Sequence, residues 1–100
     1  MFPGGGMGNM QAMMKKVQKM QNDMLKAQEE LKKRTVEATV GGGAVTVVVS
    51  GRKELVSIKI NPDAVDLEDI EILEDMIVSA VNDGIRQADE MSEKEMAKIT

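Results

Sequence analysis

Apolar residues recur near the start of the chain in alternating steps of three and four, at Met10, Met13, Val17, Met20, Met24, Ala27 and Leu31. This is the seam of a heptad helix, and it predicts one helix over residues 9–34, with the glycine-rich residues 1–8 read as a flexible start. Such a helix is ~40 Å long, more than a small sheet can cover, so part of it must project or pack on another chain. Methionine at most of the seam positions makes a deformable apolar surface that specifies its partner loosely.

From residue 35 the period drops to two. Val36, Ala38 and Val40 alternate with Thr35, Glu37 and Thr39; three glycines turn the chain; "AVTVVVS" follows; and a second turn at "GRK" leads into "ELVSIKI". These predict three antiparallel strands in a meander within residues 35–60, ended by Asn61-Pro62-Asp63, because proline cannot donate to a ladder and restricts the residue before it. A second helix is expected over residues 66–98, with Asp66 as N-cap and an apolar stripe running from Leu73 through Met76, Ile77, Ala80, Gly84 and Ala88 to Met91. The capping-box spacing of Ser92 to Glu95 marks a place where this helix can kink or restart.

The fold class is therefore α+β in the order αβββα, with all 100 residues in one domain. At this length a single core buries only about two-thirds of the unfolded chain's surface. The middle strand carries Val45, Val47 and Val49 on one side, and the chain holds a single aromatic residue to pack against them. Two helices can cover one face of a three-stranded sheet, which leaves the other face and both edges open to pairing. The expectation is a homodimer in which a second copy covers these valines, with Met13, Val17 and Met20 also at the interface.

Composition removes most chemistry. Without cysteine there are no disulfides or thiolate metal sites, and without histidine the usual metal ligand and neutral-pH base are missing, so no enzyme, metal or cofactor is expected. The acids Glu68, Asp69, Glu71, Glu74 and Asp75 sit where the positive end of a helix favours carboxylates. The triple glycine lacks the Lys-Ser/Thr tail of a phosphate loop and leads into a strand, so a turn with positive φ explains it better. No membrane span or signal peptide is read in the sequence, and a cytoplasmic protein is expected.

Charge changes the picture more. The net charge is −4, yet residues 1–34 hold seven Lys/Arg against three Asp/Glu, and residues 61–100 hold three against twelve. Lys15, Lys19, Lys26 and Lys33 follow one another at spacings of 4, 7 and 7, which keeps them within about 40° around a helix and makes a stripe ~27 Å long. That is most of a turn of duplex DNA and suits phosphate contacts; the competing reading is a solvated face or salt bridges to the acidic second helix. If both helices point away from the sheet, Lys15, Lys16 and Lys19 gather with Lys94 and Lys98 at a distal tip, and two such tips flank a duplex. No aromatic residues interleave, which disfavours single-strand recognition by stacking.

The order of these pieces, above all "VGGGAVTVVVSGRKELVSIKINPD" and "LEDMIVSAVNDGIRQA", resembles the YbaB/EbfC family of bacterial nucleoid-associated proteins over nearly the whole chain. The resemblance implies a dimeric, tweezer-like assembly that binds double-stranded DNA through its protrusions and is found with the nucleoid. It also implies a neighbourhood of recombination-repair and clamp-loader functions. The alternative reading is accordingly a protein-interaction module that docks such a partner through its Met-rich helix.

Overall fold

The computed structural model describes residues 5–99, with side chains from residue 9 onward; residues 1–4, part of the stretch expected to be flexible, lie outside the described residues. Helix α1 spans Gly5–Lys33, strands β1, β2 and β3 span Thr35–Val40, Val45–Ser50 and Leu55–Ile60, a single 3-10 turn covers Pro62–Ala64, and helix α2 spans Ile70–Ala97. This is the αβββα arrangement that the periodicities predict.

The strands form one antiparallel sheet in the order β1-β2-β3. Gly41, Gly42 and Gly43 all adopt positive φ, at 67°, 65° and 99°, and reverse the chain between β1 and β2. At the other end Ser50, nearly buried, accepts hydrogen bonds at its Oγ from the N–H groups of Arg52 (3.3 Å) and Glu54 (3.2 Å). That hydroxyl holds the turn in which Lys53 takes a φ of 65°, a conformation unfavourable for a side chain with a Cβ.

Register decides which residues share a face. Ala38 lies opposite Val47 and Val36 opposite Val49, while Val45 pairs with Ile60 and Val47 with Ile58. Directly paired residues point to the same side, so one face carries the valines, alanine and isoleucines and the other carries Glu37, Thr39, Thr46, Ser57 and Lys59. On that polar face Thr39 Oγ1 and Thr46 Oγ1 lie 3.2 Å apart in a hydrogen bond. An irregularity between Val48 and Val49 places Leu55 opposite Val49 and leaves Val56 as the extra residue of a bulge.

Helix α2 lies on the apolar face over β1 and β2. Ala80, Gly84 and Ala88 are buried along it, and Leu73, Met76, Ile77 and Val81 flank the buried cluster of Ala38, Ala44, Val45, Val47 and Val49. Full burial of each of the three valines is worth about 1.5–3 kcal/mol relative to exposure. The helix approaches this closely because Gly84 has no side chain: a Cβ there would lie 2.7 Å from Val49 Cγ2 and 3.1 Å from Val47 Cγ2.

This corrects the expectation that a second copy covers Val45, Val47 and Val49. All three are fully buried by the chain's own α2, because the valines face the same side as the helix and small residues on α2 let it seat directly over them. The face left open is polar instead of apolar. On the sheet, the uncovered apolar surface is β3, in which every residue is exposed.

Three details also differ from the sequence reading, the first being that α1 begins at Gly5, within the stretch 1–8 read as a flexible start. Helix α2 begins at Ile70 with Asp69 as its N-cap, Asp69 Oδ1 accepting from the N–H of Ile72 at 3.4 Å. Asp66 instead accepts from the N–H of Glu68 at 2.9 Å in a local turn, the competing use of an Asp side chain outside a helix. Through Ser92 the helix runs on without restarting.

Candidate nucleic-acid interface

Helix α1 meets the rest of the chain only near its C-terminal end. Leu31 is buried there, 2% exposed, and the N–H of Gly51 donates both to the Leu31 carbonyl (3.0 Å) and to the Arg34 carbonyl (2.9 Å). A Cβ on Gly51 would stand 2.5 Å from the Leu31 carbonyl oxygen, so the helix end seats directly on the second β-turn. N-terminal to this root the helix projects, and the described molecule measures 79 × 21 × 15 Å.

The projecting helix has two contrasting faces. Met10, Met13, Val17, Met20 and Met24 are exposed large hydrophobics on the seam that ends in Leu31. Lys15, Lys19, Lys26 and Lys33 lie about 150° around the helix from that seam, all of them exposed, with Lys16 to one side of the lysine row. Because Leu31 turns the seam toward the body, the lysine row faces outward along the whole projection.

Ion pairing separates this row from the other cations. Among the described residues the salt bridges are Arg34 to Glu95 (2.6 Å), Lys53 to Asp89 (2.7 Å), Lys98 to Glu95 (3.0 Å), and Arg86 to Asp83. Lys15, Lys16, Lys19, Lys26 and Lys33 take part in none of these bridges. The salt-bridge reading of the stripe therefore finds no support at these residues, whose side chains are exposed.

The Arg34–Glu95 pair also shows where α2 ends. The C-terminal turn of α2 lies at the root of α1, and Lys94 and Lys98 line an open groove there with Arg34, Val36, Gln87 and Glu95. Lys15 is nineteen positions before Arg34, ~28 Å along the helix. The structure therefore does not gather Lys94 and Lys98 with Lys15, Lys16 and Lys19 at one tip. The sequence reading assumed that α2 points away from the sheet, whereas the link after β3 turns the chain back and lays α2 along β1 and β2.

Electrostatics at the root favour neutralisation over binding. Hydrogen bonds from Lys98 and Arg34 hold the Glu95 carboxyl below its ordinary value, and the hydrogen bond to Asp89 raises Lys53. Of the three arginines, Arg34 and Arg86 are engaged by carboxylates and Arg52 is exposed without an ion pair. Arg52 and Lys32, exposed near the root and in none of these bridges, do not belong to the periodic row, and the closeness of Arg52 to the root depends on Gly51 docking against Leu31. The acids at the start of α2 lie ~30 Å or more from Glu95 along the helix. Met76 at that end approaches Gly41, on the sheet's opposite end from the root, so Glu71, Glu74 and Asp75 stand away from the lysine row, while Asp89, Glu90, Glu93 and Glu95 lie on the turns of α2 nearer the root.

Comparison with known proteins gives the family and a similar fold. Residues 7–100 match the model of the YbaB/EbfC DNA-binding family. A nucleoid-associated protein of Ruminiclostridium cellulolyticum is 54% identical over 100 residues, covering 99% of this chain and 87% of the relative. One from Alkaliphilus metalliredigens is 58% identical over 100 residues, with 99% and 88% covered. The crystal structure of the uncharacterized protein HP0035 from Helicobacter pylori superposes with a TM-score of 0.69 at 29% identity, covering 78% of this chain and 82% of that one.

Proposed function

Since the chain belongs to the YbaB/EbfC DNA-binding family, we propose that it is a nucleoid-associated protein that binds duplex DNA as a homodimer, mainly through phosphates. The carrying observation is the outward row of Lys15, Lys19, Lys26 and Lys33, with Lys16 beside it, none of which takes part in the salt bridges among the described residues. Lysine ammonium groups act as point charges that release condensed counterions from the backbone without reading bases. Lys94 and Lys98 sit at the root and serve as a second, weaker contact, since Glu95 already holds Lys98.

The homodimer is carried by β3. Its free edge combines with Leu55, Val56, Ile58 and Ile60, each 40–59% exposed, beside Ile85 of α2, which is also exposed. A free strand edge with apolar side chains pairs readily with another strand, and a second β3 joined antiparallel extends the sheet and covers these residues. Val45, Val47 and Val49 contribute from beneath as the core on which that edge rests, and the pairing uses none of Met13, Val17 and Met20. Two α1 helices then project from one extended sheet, each with its lysine row open to DNA, and the protein acts in the nucleoid as an architectural factor.

Replacing Lys15 and Lys19 with Glu tests the assignment. The double variant is expected to bind a ~30 base-pair duplex at least about tenfold more weakly at low salt, with its salt slope lowered by about 1 per lost lysine contact. Dimer mass and melting should stay as in the parent, because neither residue has a packing partner. Unchanged affinity would refute the row as the binding surface.

A further inference from the structure

The seam of α1 is left uncovered both by the chain's own fold and by pairing at β3. Met10, Met13, Val17, Met20 and Met24 are exposed, with Met10 at 64% and Met13 at 65%, although their spacing is that of a coiled coil. We propose that this seam pairs antiparallel with α1 of another copy, in a register that sets Val17 against Met20, Met24 against Met13 and Met10 against Ala27 of the neighbouring helix.

Charge selects that arrangement. With Met10, Val17, Met24 and Leu31 as one set of seam positions and Met13, Met20 and Ala27 as the other, the residues preceding the first set are Asn9, Lys16, Asp23 and Glu30. In an antiparallel pair these flanking positions face one another across the seam. The register then places Lys16 of each helix beside Asp23 of the other, twice by symmetry, and Asn9 beside Glu30. No like charges meet. A parallel pair would instead set Lys16 against Gln21 and Asp23 against Gln28, with no ion pair, since parallel helices match the position before one set with the position after the other.

Space selects it as well. Leu31 lies on the same seam and is buried against the chain's own body at Gly51. Parallel helices would bring two bodies to the same end of the same face. In the antiparallel register the partner helix, which starts at Gly5, ends opposite the last turn before the body, so the overlap fills the projection and stops where the sheet begins.

The consequence reaches DNA binding without resting on it. The row of Lys15, Lys19, Lys26 and Lys33 lies on the far side of α1 from the seam, so pairing leaves it open and takes up only Lys16. A chain with one self-complementary surface at β3 and another on α1 links copies in succession, each two-fold contact being followed by the other kind. The partner is a second copy of this chain, and the assembly is a row of dimers that presents lysine rows along its length.

The absence of cysteine makes the register directly testable. Met13→Cys chains and Met24→Cys chains, carrying different mass tags, are mixed and treated with a short bismaleimide. The register brings position 13 of one helix opposite position 24 of the other, whereas 13 to 13 or 24 to 24 are offset by eleven residues, ~16 Å along the axis. The expected product is the mixed dimer, several times more abundant than either self-linked dimer. Abundant self-links from Met13→Cys alone would overturn the antiparallel arrangement, and no link in the mixture would overturn α1 pairing altogether. Lys16→Glu in both chains should lower the mixed product about tenfold, and Lys16→Glu with Asp23→Lys should restore it; failure of the swap to restore it would overturn the register. Repeating the mixture with Ile58→Asp, which removes β3 pairing, keeps the two contacts distinguishable, because the mixed product should persist there.

Discussion

Gly84 shows how one residue sets the position of a helix. Helix propensity alone favours alanine over glycine by about 1 kcal/mol in a helix interior. Here the added Cβ would meet Val49 Cγ2 at 2.7 Å and Val47 Cγ2 at 3.1 Å, and both valines are fully buried, with no room to withdraw. Overpacking costs about 1–3 kcal/mol, so steric cost wins, and Gly84→Ala is expected to lose up to about 2 kcal/mol net. In thermal unfolding this is a fall of several degrees, about 4–8 °C per kcal/mol at this chain length. A melting temperature equal to or above the parent's would show that α2 does not seat as closely as described. The sequence placed Gly84 on the apolar stripe but carried no sign that it, instead of Ala80 or Ala88, marks the closest approach, since that depends on which valine methyl lies beneath it.

Among the elements, helices and strands differ in how much of their surroundings can be read from the chain. The change of period from alternating threes and fours to two at Thr35 gave the αβββα order, and the three glycines gave the first turn with its positive φ. What covers each face was not legible. Periodicity marks Val45, Val47 and Val49 as apolar, yet a helix of the same chain or a strand of another copy satisfies that pattern equally. The direction of α2 was equally hidden, because the link from Asn61 to Asp69 sets it through local turns at Asn61 and Asp66, whose side chains accept from Asp63 and Glu68. These turns carry Lys94 and Lys98 to the root instead of the tip. The lysine row on α1 was legible, since it needs only helix geometry. At this scale β3 makes the sharpest prediction. Ile58 is 41% exposed in the single chain, so Ile58→Asp should leave the fold intact, while a charge placed at a paired apolar edge opposes association. Light scattering is expected to shift to a lower mass, no greater than that of two chains paired through α1, with unchanged helix content by circular dichroism, and a mass equal to the parent's would remove β3 from the interface.

Across the whole molecule, charge is separated by architecture more than by composition. The chain is acidic overall at −4, but its projecting helix carries unpaired lysines on one face and only three of the seventeen acids, while eight lie on α2, with the first turns of that helix at the far end of the sheet from the root. Basic charge thus extends away from the body while the acidic majority stays over it, so net charge is a poor guide to the field a duplex meets along α1. The central claim is that phosphate contacts along this row dominate DNA binding, and its most direct test is fluorescence anisotropy of unrelated ~30 base-pair duplexes titrated at several salt concentrations. The account predicts a linear fall of log K with log salt, of slope about −4 or steeper for five or more phosphates neutralised, and the same for every duplex sequence. A slope near zero, or one that differs strongly between sequences, would contradict it.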